Sequence, residues 1–278
     1  MRTVNPFYAA RTAPRYNAPS SADQYNVLDL FSGIGGFSLG LERAGMKTVA
    51  FCEIDPFCRQ VLKRHWPHTP IYDDIKQLTA RNLHHDHIPK IDLICGGYPC
   101  QPFSIAGKQR GQNDPRHLWP EMYRIIREIR PRWVICENVA GHVELGLDTV
   151  LTDLDDSGYT ATAFIIPACA VGAPHRRDRI WIIAHATFIR LPGPLGQQRR
   201  QFSQELPAQP LRWELPAPFT TGSNDGIPHR MDRTQALGNA VVPQIPELIR
   251  RAIITHEHPC KLHGLKPARR VARSFKGQ

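Results

Sequence analysis

The chain has 278 residues, of which 41% are hydrophobic and 22% charged, a composition typical of a soluble globular protein. Its length suits one large domain, or one domain with a small appendage. No apolar run is long enough for a membrane helix, and residues 1–26 lack the apolar centre of a signal peptide, so we expect no membrane association. Seven cysteines, an odd number, favour reduced thiols in a cytoplasmic protein over a disulfide framework.

The formal net charge of +10 suggests a polyanionic partner such as nucleic acid, but its distribution weakens that inference. Residues 1–24 carry three Arg against one Asp, and residues 251–278 carry seven Lys or Arg against one Glu. These tails contribute eight of the ten charges, which leaves about +2 for the folded body. Charge alone is therefore weak support for nucleic-acid binding.

Residues 1–24 are polar, dotted with proline and aperiodic, which predicts a disordered arm. An apolar run of strand length, Asn26–Phe31, leads directly into a glycine-rich turn and a helical pattern that ends at Gly45. Strand, turn and helix form the first unit of a doubly wound α/β sheet. The further predicted strands are Thr48–Cys52, Ile71–Tyr72, Ile91–Cys95, Trp133–Cys136, Ala161–Ile166 and Ile180–Ala184. The further predicted helices are Pro56–His65, Leu118–Arg130, Thr149–Asp156 and one within Asp232–Ile254.

Two histidine-rich stretches are weighed as metal sites and rejected. Asn82–His87 is predicted to be a solvated loop, because the neighbouring strands offer no complementary ligands. The stretch from His256 to His263 has a spacing that matches no closed zinc site. We expect no metal in this protein.

Acidic residues follow the second and third predicted strands. Glu53 is placed to accept both hydroxyls of a ribose, and Asp74 to accept a hydrogen bond from an adenine amino group. Gly33, Gly35 and Gly36 let a ligand approach the backbone at the positive end of a helix. Each feature alone is more often a turn or a cap, but together they favour an adenosine-containing ligand. Because the spacing is not Gly-x-Gly-x-x-Gly, S-adenosylmethionine fits as well as a dinucleotide.

The loop after Ile91–Cys95 carries Cys100 behind Pro99, at the carboxyl end of a strand. Most intracellular cysteines are small buried hydrophobes, and this is our interpretation of Cys95. We interpret Cys100 as a nucleophile, because the chain supplies what such a cysteine needs.

Glu137 ends a neighbouring strand and can donate or accept a proton, while Arg177 and Arg179 can hold an anion or a polarised carbonyl. Glu137 could also simply pair with one of these arginines. Used together, these residues favour nucleophilic attack on an activated heterocycle beside a methyl donor.

These motifs, in this order, resemble the DNA cytosine-5 methyltransferase family. The matching blocks are Asp29–Phe37, Glu53, Asp74-Ile75, Gly97–Ser104, Asp114–Leu118, Glu137–Val139, Arg177–Arg179 and Gly238–Pro243. The resemblance covers roughly residues 27–184 and 232–250. It implies a seven-stranded, mostly parallel S-adenosylmethionine-dependent methyltransferase fold, double-stranded DNA as partner, and a monomeric cytoplasmic enzyme that works at the bacterial nucleoid.

The resemblance also implies a role for each motif residue. Cys100 would add to C6 of a flipped-out cytosine, and Glu137 would hydrogen-bond N3 and the amino group. Arg179 would contact the cytosine carbonyl, and Arg177 would help to place the Cys100 loop. The cofactor pocket would comprise Phe31, Gly33, Gly35, Gly36, Glu53, Ile54, Asp74, Ile75, Pro99, Leu118, Asn239 and Val241.

Two departures from the family pattern concern target recognition. Only 58 residues separate Arg179 from Gly238, where the family has a sizeable recognition domain, and an Arg-Leu-Gln-Gly-Phe-Pro-type block is missing. Such short forms resemble enzymes of phage or prophage origin. The candidates for phosphate or base contacts, each equally explained as a solvated surface residue, are Arg199, Arg200, Arg212, Arg230 and Arg233.

We accordingly divide the chain into a few parts with expected roles. These are a disordered arm (1–24), a catalytic and cofactor-binding domain (25–185), a small irregular target-recognition segment (186–231), a returning helix (232–255) and a basic tail (256–278). Two alternatives stay open: an RNA cytosine-5 methyltransferase, and a degenerate prophage protein that binds DNA without catalysis. The target sequence and the existence of a cognate restriction enzyme are also open.

Overall fold

The computed structural model describes residues 24–99, 118–187 and 236–257. Cys100, the arginines proposed for DNA contacts and almost all of both tails lie outside these ranges. The interpretations of those residues stay predictions.

Seven strands form a single sheet in the order β3-β2-β1-β4-β5-β7-β6. Their bounds are β1 Asn26–Leu30, β2 Lys47–Cys52, β3 Ile71–Tyr72, β4 Leu93–Gly96, β5 Trp133–Val139, β6 Tyr159–Pro167 and β7 Asp178–Ala186. β7 runs antiparallel to both of its neighbours, and the other pairs are parallel. The predicted fold class is confirmed. The strand order reverses between β1 and β4, where ligands bind at the carboxyl ends of strands in such sheets.

The described ranges also contain seven α-helices with defined bounds, a helical turn at 236–239 and a short 3₁₀ turn at Ala168–Val171. Their bounds are α1 Gly36–Arg43, α2 Pro56–His65, α3 Ala80–His85, α4 Trp119–Ile129, α5 His142–Leu145, α6 Leu147–Asp156 and α7 Gln244–Glu257. None of these helices is long and apolar enough to cross a membrane.

The prediction of a loop at Asn82–His87 was wrong, because α3 covers most of that stretch. The Thr79 side chain caps the helix by accepting a hydrogen bond from the Asn82 amide at 3.1 Å. Leu83 is buried in the core, while His84 and His85 stay exposed. The Thr79 cap and the burial of Leu83 thus stabilise a helix in a mostly polar stretch.

Helices pack on both faces of the sheet, and the C-terminal helix is part of the main core. α3, α4 and α6 cover one face, and α1 with α7 cover the other. The buried side chains that α1 and α7 contribute are Phe37, Leu41, Ile245, Ile249 and Ile253. They pack against strand residues such as Leu93 and Ile135. α7 therefore holds the residues before it, 238–243, at the sheet edge that carries the motifs.

The buried carboxylate of Glu257 fixes the end of α7. Its Oε1 accepts hydrogen bonds from the Tyr25 hydroxyl at 2.6 Å and from Trp133 Nε1 at 2.8 Å. Arg132 and Arg250 pair with it at 3.2 and 3.7 Å. Burial, followed by the hydrogen bond to Glu257, raises the pKa of Tyr25 far above its usual range, so the hydroxyl stays a donor.

The side chain of Asp29 is buried beneath the glycine-rich turn. Its Oδ2 accepts a hydrogen bond from Ser38 Oγ at 2.7 Å, which ties β1 to α1. Burial raises the pKa of Asp29 to about 7, and the hydrogen bonds from Ser38 oppose that shift. The carboxyl group therefore binds a proton more readily in the folded chain than in the unfolded one.

Replacing Glu257 by alanine is expected to destabilise the fold by about 3–5 kcal/mol, because it breaks a buried ion pair. The free energy of unfolding in urea measures this loss. Glu247 is the matched control on the same helix, since it pairs with the partly exposed Arg251 at 2.8 Å. Glu247→Ala should cost less than about 1 kcal/mol. Equal losses in the two variants would contradict the anchoring role of Glu257.

Asp29→Asn is expected to change how stability depends on pH. Because the folded pKa of Asp29 lies above the unfolded value of about 4, wild-type stability gains from this proton at low pH and loses the gain as pH rises towards about 7. Asparagine does not titrate, so the variant should become more stable relative to wild type across that window, measured by urea unfolding at each pH.

The control for this pH dependence is Asp86→Asn. Hydrogen bonds from His85 and Tyr72 lower the pKa of the exposed Asp86. The variant should therefore lose stability relative to wild type as pH rises through the acid range. A change of the same sign in both variants would show that the Asp29 interpretation is wrong.

Candidate active site

The turn between β1 and α1 carries three positive φ angles, at Phe31 (52°), Gly33 (54°) and Gly35 (87°). A Cβ on Gly35 would lie 2.6 Å from the Trp66 ring, and one on Gly36 would lie 2.5 Å from the Val241 carbonyl oxygen. A Cβ on Gly33 would meet nothing within 4 Å. Packing within the protein therefore requires glycine at two of the three predicted positions, and only Gly33 faces open space.

Glu53 lies at the end of β2 and holds the glycine turn in place. The residue is 8% exposed, and Oε2 accepts the Gly33 amide hydrogen at 2.7 Å. Oε1 accepts the Asp55 amide hydrogen, also at 2.7 Å. A carboxylate has about four acceptor positions, so both oxygens can still accept a hydroxyl. The adjacent Ile54 is 71% exposed and offers an apolar surface beside Glu53.

Asp74 and Ile75 follow β3, next to Glu53. The Glu53 amide donates to the Tyr72 carbonyl at 2.9 Å, which brings the two acidic strand ends side by side. Asp74 Oδ1 accepts the Lys76 amide hydrogen at 2.9 Å, and Ile75 is buried in the core. Asp74 is thus a turn cap, the alternative considered from the sequence, and its adenine contact stays a prediction.

The second half of the site is built on Glu137, at the end of β5. Arg179 Nε lies 3.0 Å from Glu137 Oε1, across the β5–β7 pair. A Cβ on Gly97 would lie 3.1 Å from Glu137 Oε2, so the carboxylate lies against the start of the cysteine loop. Burial raises the pKa of Glu137, while Arg179 and then Arg177 oppose the shift. The ion pair that the sequence left as an alternative does form.

Arg177 donates hydrogen bonds to the residues that precede α7. Its Nη1 donates to the Gly238 carbonyl at 2.6 Å, and its Nη2 donates to the Ala240 carbonyl at 3.0 Å. Burial lowers the pKa of Arg177, and Arg179 lowers it further, while Glu137 acts against both. Since the Cys100 loop lies outside the described residues, a contact of Arg177 with it stays a prediction.

The described start of the cysteine loop is held by three residues that were given no role from the sequence, Tyr98, Asn138 and His142. Asn138 Nδ2 donates to the Tyr98 carbonyl at 3.0 Å, and the Tyr98 hydroxyl lies 2.7 Å from His142 Nε2. The Tyr98 ring is buried against Trp119 with centroids 5.1 Å apart. Asn138 and Tyr98 belong to the motif blocks, which was a usable signal. Nothing in the sequence pointed to His142.

The remaining predicted pocket residues are distributed along the same edge. Pro99 and Asn239 are exposed, and Leu118 is half-buried before α4. Val241 is half-buried and packs into the α1–α7 cluster. Cys95 is fully buried, and burial raises its pKa well above the usual range, which confirms its interpretation as a core residue.

The strand registers bring both halves to one edge of the sheet. Leu30 pairs with Gly96, and Gly96 pairs with Cys136, so the glycine turn, the cysteine loop and Glu137 leave neighbouring strands at the same level. Across residues 24–99, 118–187 and 236–257, no group of three or more His, Cys, Asp or Glu is placed to hold a metal ion. One region of this edge holds the glycine turn and the Glu53 carboxylate, and another holds the Glu137–Arg179 ion pair.

Two type II methyltransferases are similar in sequence to more than half of this chain. The type II methyltransferase M.HgiBI of Herpetosiphon aurantiacus is 37% identical over 165 residues, which cover 58% of this chain and 37% of the relative. M.PspPI of a Psychrobacter species is 39% identical over 170 residues, with coverage of 59% and 40%. The chain therefore spans about two fifths of the length of these two relatives.

A solved structure and a family profile agree with these relatives. A prophage-encoded Escherichia coli protein, assigned as a DNA modification methyltransferase, superposes with a TM-score of 0.53 at 28% identity, covering 62% of this chain and 49% of that one. The profile of C-5 cytosine-specific DNA methylases matches residues 25–210, well over half of the sequence. The chain is a member of the C-5 cytosine-specific DNA methylase family.

Proposed function

We propose that this protein transfers a methyl group from S-adenosylmethionine to C5 of a cytosine in double-stranded DNA. The observation that carries the proposal is the mostly buried Glu137–Arg179 ion pair, whose carboxylate lies against Gly97 at the start of the cysteine loop. In a member of this family, such a pair would hold the target base.

The Glu137–Arg179 pair suits the recognition of a cytosine edge. The raised pKa of Glu137 lets its carboxyl group hold or share a proton, which a hydrogen bond to N3 of cytosine requires. Arg179 carries a fixed positive charge beside it and can donate to the cytosine carbonyl oxygen. Because both groups are mostly buried, their charges act in a low dielectric and stabilise charge that develops on the ring.

Cys100 would supply the nucleophile from the loop that Tyr98 begins. Its thiolate adds to C6 of the cytosine, and the electron pair displaced from the C5–C6 double bond makes C5 nucleophilic. After methylation, loss of the C5 proton restores the double bond and expels the thiolate. The target carbon lies inside a stacked duplex, so the nucleotide must be flipped out at a cost of a few kcal/mol.

The glycine turn and the neighbouring strand ends fit the nucleoside part of S-adenosylmethionine. Gly33 faces open space, and Glu53 retains acceptor positions for ribose hydroxyls. Phe31 and Ile54 would contact the adenine faces, and Asp74 with Ile75 would line its edge. When bound, S-adenosylmethionine supplies an electrophilic methyl group to C5. Target recognition would belong to residues 186–231, outside the described ranges.

Replacing Cys100 by serine is expected to lower methyl incorporation into duplex DNA by at least about 1,000-fold, because the nucleophile is lost. Labelled methyl transfer measures the rate, and calorimetry measures S-adenosylmethionine binding, which should persist. Cys169→Ser is the matched control, since Cys169 is an exposed free cysteine on the 3₁₀ turn. Full activity of Cys100→Ser, or its loss of cofactor binding, would refute the proposal.

The choice of polymer is decided by offering duplex DNA and transfer RNA side by side to the wild-type chain. Incorporation into DNA that requires Cys100 supports the proposed substrate. Incorporation into transfer RNA alone would assign an RNA cytosine-5 methyltransferase. DNA binding without methylation, lost when residues 251–278 are deleted and steeply weakened by salt, would indicate a non-catalytic DNA-binding protein.

A further inference from the structure

We propose that Arg177 is a positioning residue that clamps residues 238–241 against the glycine turn and so holds the cofactor pocket closed. The inference rests on the proposed function, because it concerns the same S-adenosylmethionine site. It assigns Arg177 to the cofactor side, whereas the sequence resemblance assigned it to the cysteine loop. Residues Gly238–Val241 are called the closing segment below.

The first part of the argument is the contact itself. The two terminal nitrogens of Arg177 donate to two carbonyls of the closing segment, those of Gly238 at 2.6 Å and Ala240 at 3.0 Å. These carbonyls flank Asn239, a predicted pocket residue. A planar guanidinium can satisfy two acceptors at once, which a lysine ammonium on a single flexible stem does less well. The contact therefore fixes the backbone on both sides of Asn239.

The second part is the opposite side of the same segment. The Val241 carbonyl lies so close to α1 that a Cβ on Gly36 would be 2.5 Å from its oxygen. Val241 also packs into the core between α1 and α7. The closing segment is thus held between Gly36 on the glycine turn and Arg177 on the entry to β7.

The third part is how the Arg177 backbone is held. Its φ of 39° is uncommon for a residue with a side chain. The Ala168 amide hydrogen is shared by the carbonyls of Arg176, at 2.7 Å, and Arg177, at 3.3 Å, which braces this conformation. Arg179, two residues later, pairs with Glu137 instead. Residues 177–179 thus place Arg177 against the closing segment and Arg179 against Glu137.

A positioning role makes a distinct kinetic prediction. Arg177→Ala should raise the KM and the Kd for S-adenosylmethionine at least about tenfold, the effect of losing hydrogen bonds from a charged donor. Its kcat at saturating cofactor should fall less than its cofactor affinity, and its KM for DNA should stay within about threefold of wild type, because the Glu137–Arg179 pair is intact. Arg177→Lys should lie between Ala and wild type.

Hydrogen exchange of the closing segment tests the clamp without any cofactor. In the free protein, amides of residues 238–243 should exchange faster in Arg177→Ala than in wild type. Arg176→Ala is the matched control, because the exposed Arg176 pairs only locally with Asp178 at 2.9 Å. That variant should leave exchange and cofactor affinity unchanged.

The outcomes separate this inference from the proposed function. Unchanged exchange in Arg177→Ala would overturn the clamp even if the enzyme methylates DNA. A raised KM for DNA with unchanged cofactor affinity would also overturn it and assign Arg177 to DNA or to the cysteine loop. A wild-type chain that binds no S-adenosylmethionine would refute the proposed function and the pocket-closing role together. In that case, faster amide exchange in Arg177→Ala would still show that Arg177 holds the closing segment.

Discussion

The described structure depends on a close approach between its first helix and its last segment. A Cβ on Gly40 would lie 2.0 Å from the Pro243 carbonyl oxygen, and one on Gly36 would lie 2.5 Å from that of Val241. No side chain fits between these backbones, so α1 and the residues before α7 meet directly. Because α1 begins in the glycine turn, this contact also sets where the residues from Gly238 onwards lie relative to the sheet edge that carries that turn. The cofactor half of the site therefore needs both ends of the described chain.

The C-terminal end of α7 is held by polar contacts to a buried carboxylate, that of Glu257. Glu257 receives hydrogen bonds from Tyr25 and Trp133, and two arginines surround it. A buried carboxylate is costly unless it is paired and hydrogen-bonded, and these partners together meet that requirement. The apolar face of α7 drives its burial, while the Glu257 contacts select one register along the sheet. Any shift of that register would displace the residues that Arg177 holds.

The two acids of the candidate site differ in what surrounds them, and the difference matches their proposed tasks. Glu53 accepts hydrogen bonds from two backbone amides, which fix the orientation of its carboxylate. Glu137 is buried beside a guanidinium, so burial and the positive charge act on its pKa in opposite directions. The net effect is a raised pKa, which suits the proposed sharing of a proton with the target base. In the proposed mechanism, one sheet edge would thus supply a binding acid at the end of β2 and a proton-handling acid at the end of β5, with β1 and β4 between them.

Local sequence patterns determined the strands, most helices and the motif residues, because apolar runs and glycine turns act within a few residues. The α3 helix was missed, since Leu83 is its one large apolar residue. Only tertiary packing explains why Gly36 must be glycine, because Val241 comes from a distant part of the chain, whereas the positive φ of Gly35 already favours glycine and the Trp66 ring adds a second reason. Tertiary packing also decided that Arg179 pairs with Glu137 and Arg177 with Gly238. The two arginines are only two positions apart at the start of β7, so the sequence could not distinguish their partners. The Tyr25–Glu257 bond joins residues 232 positions apart, a pairing that only the folded sheet can specify.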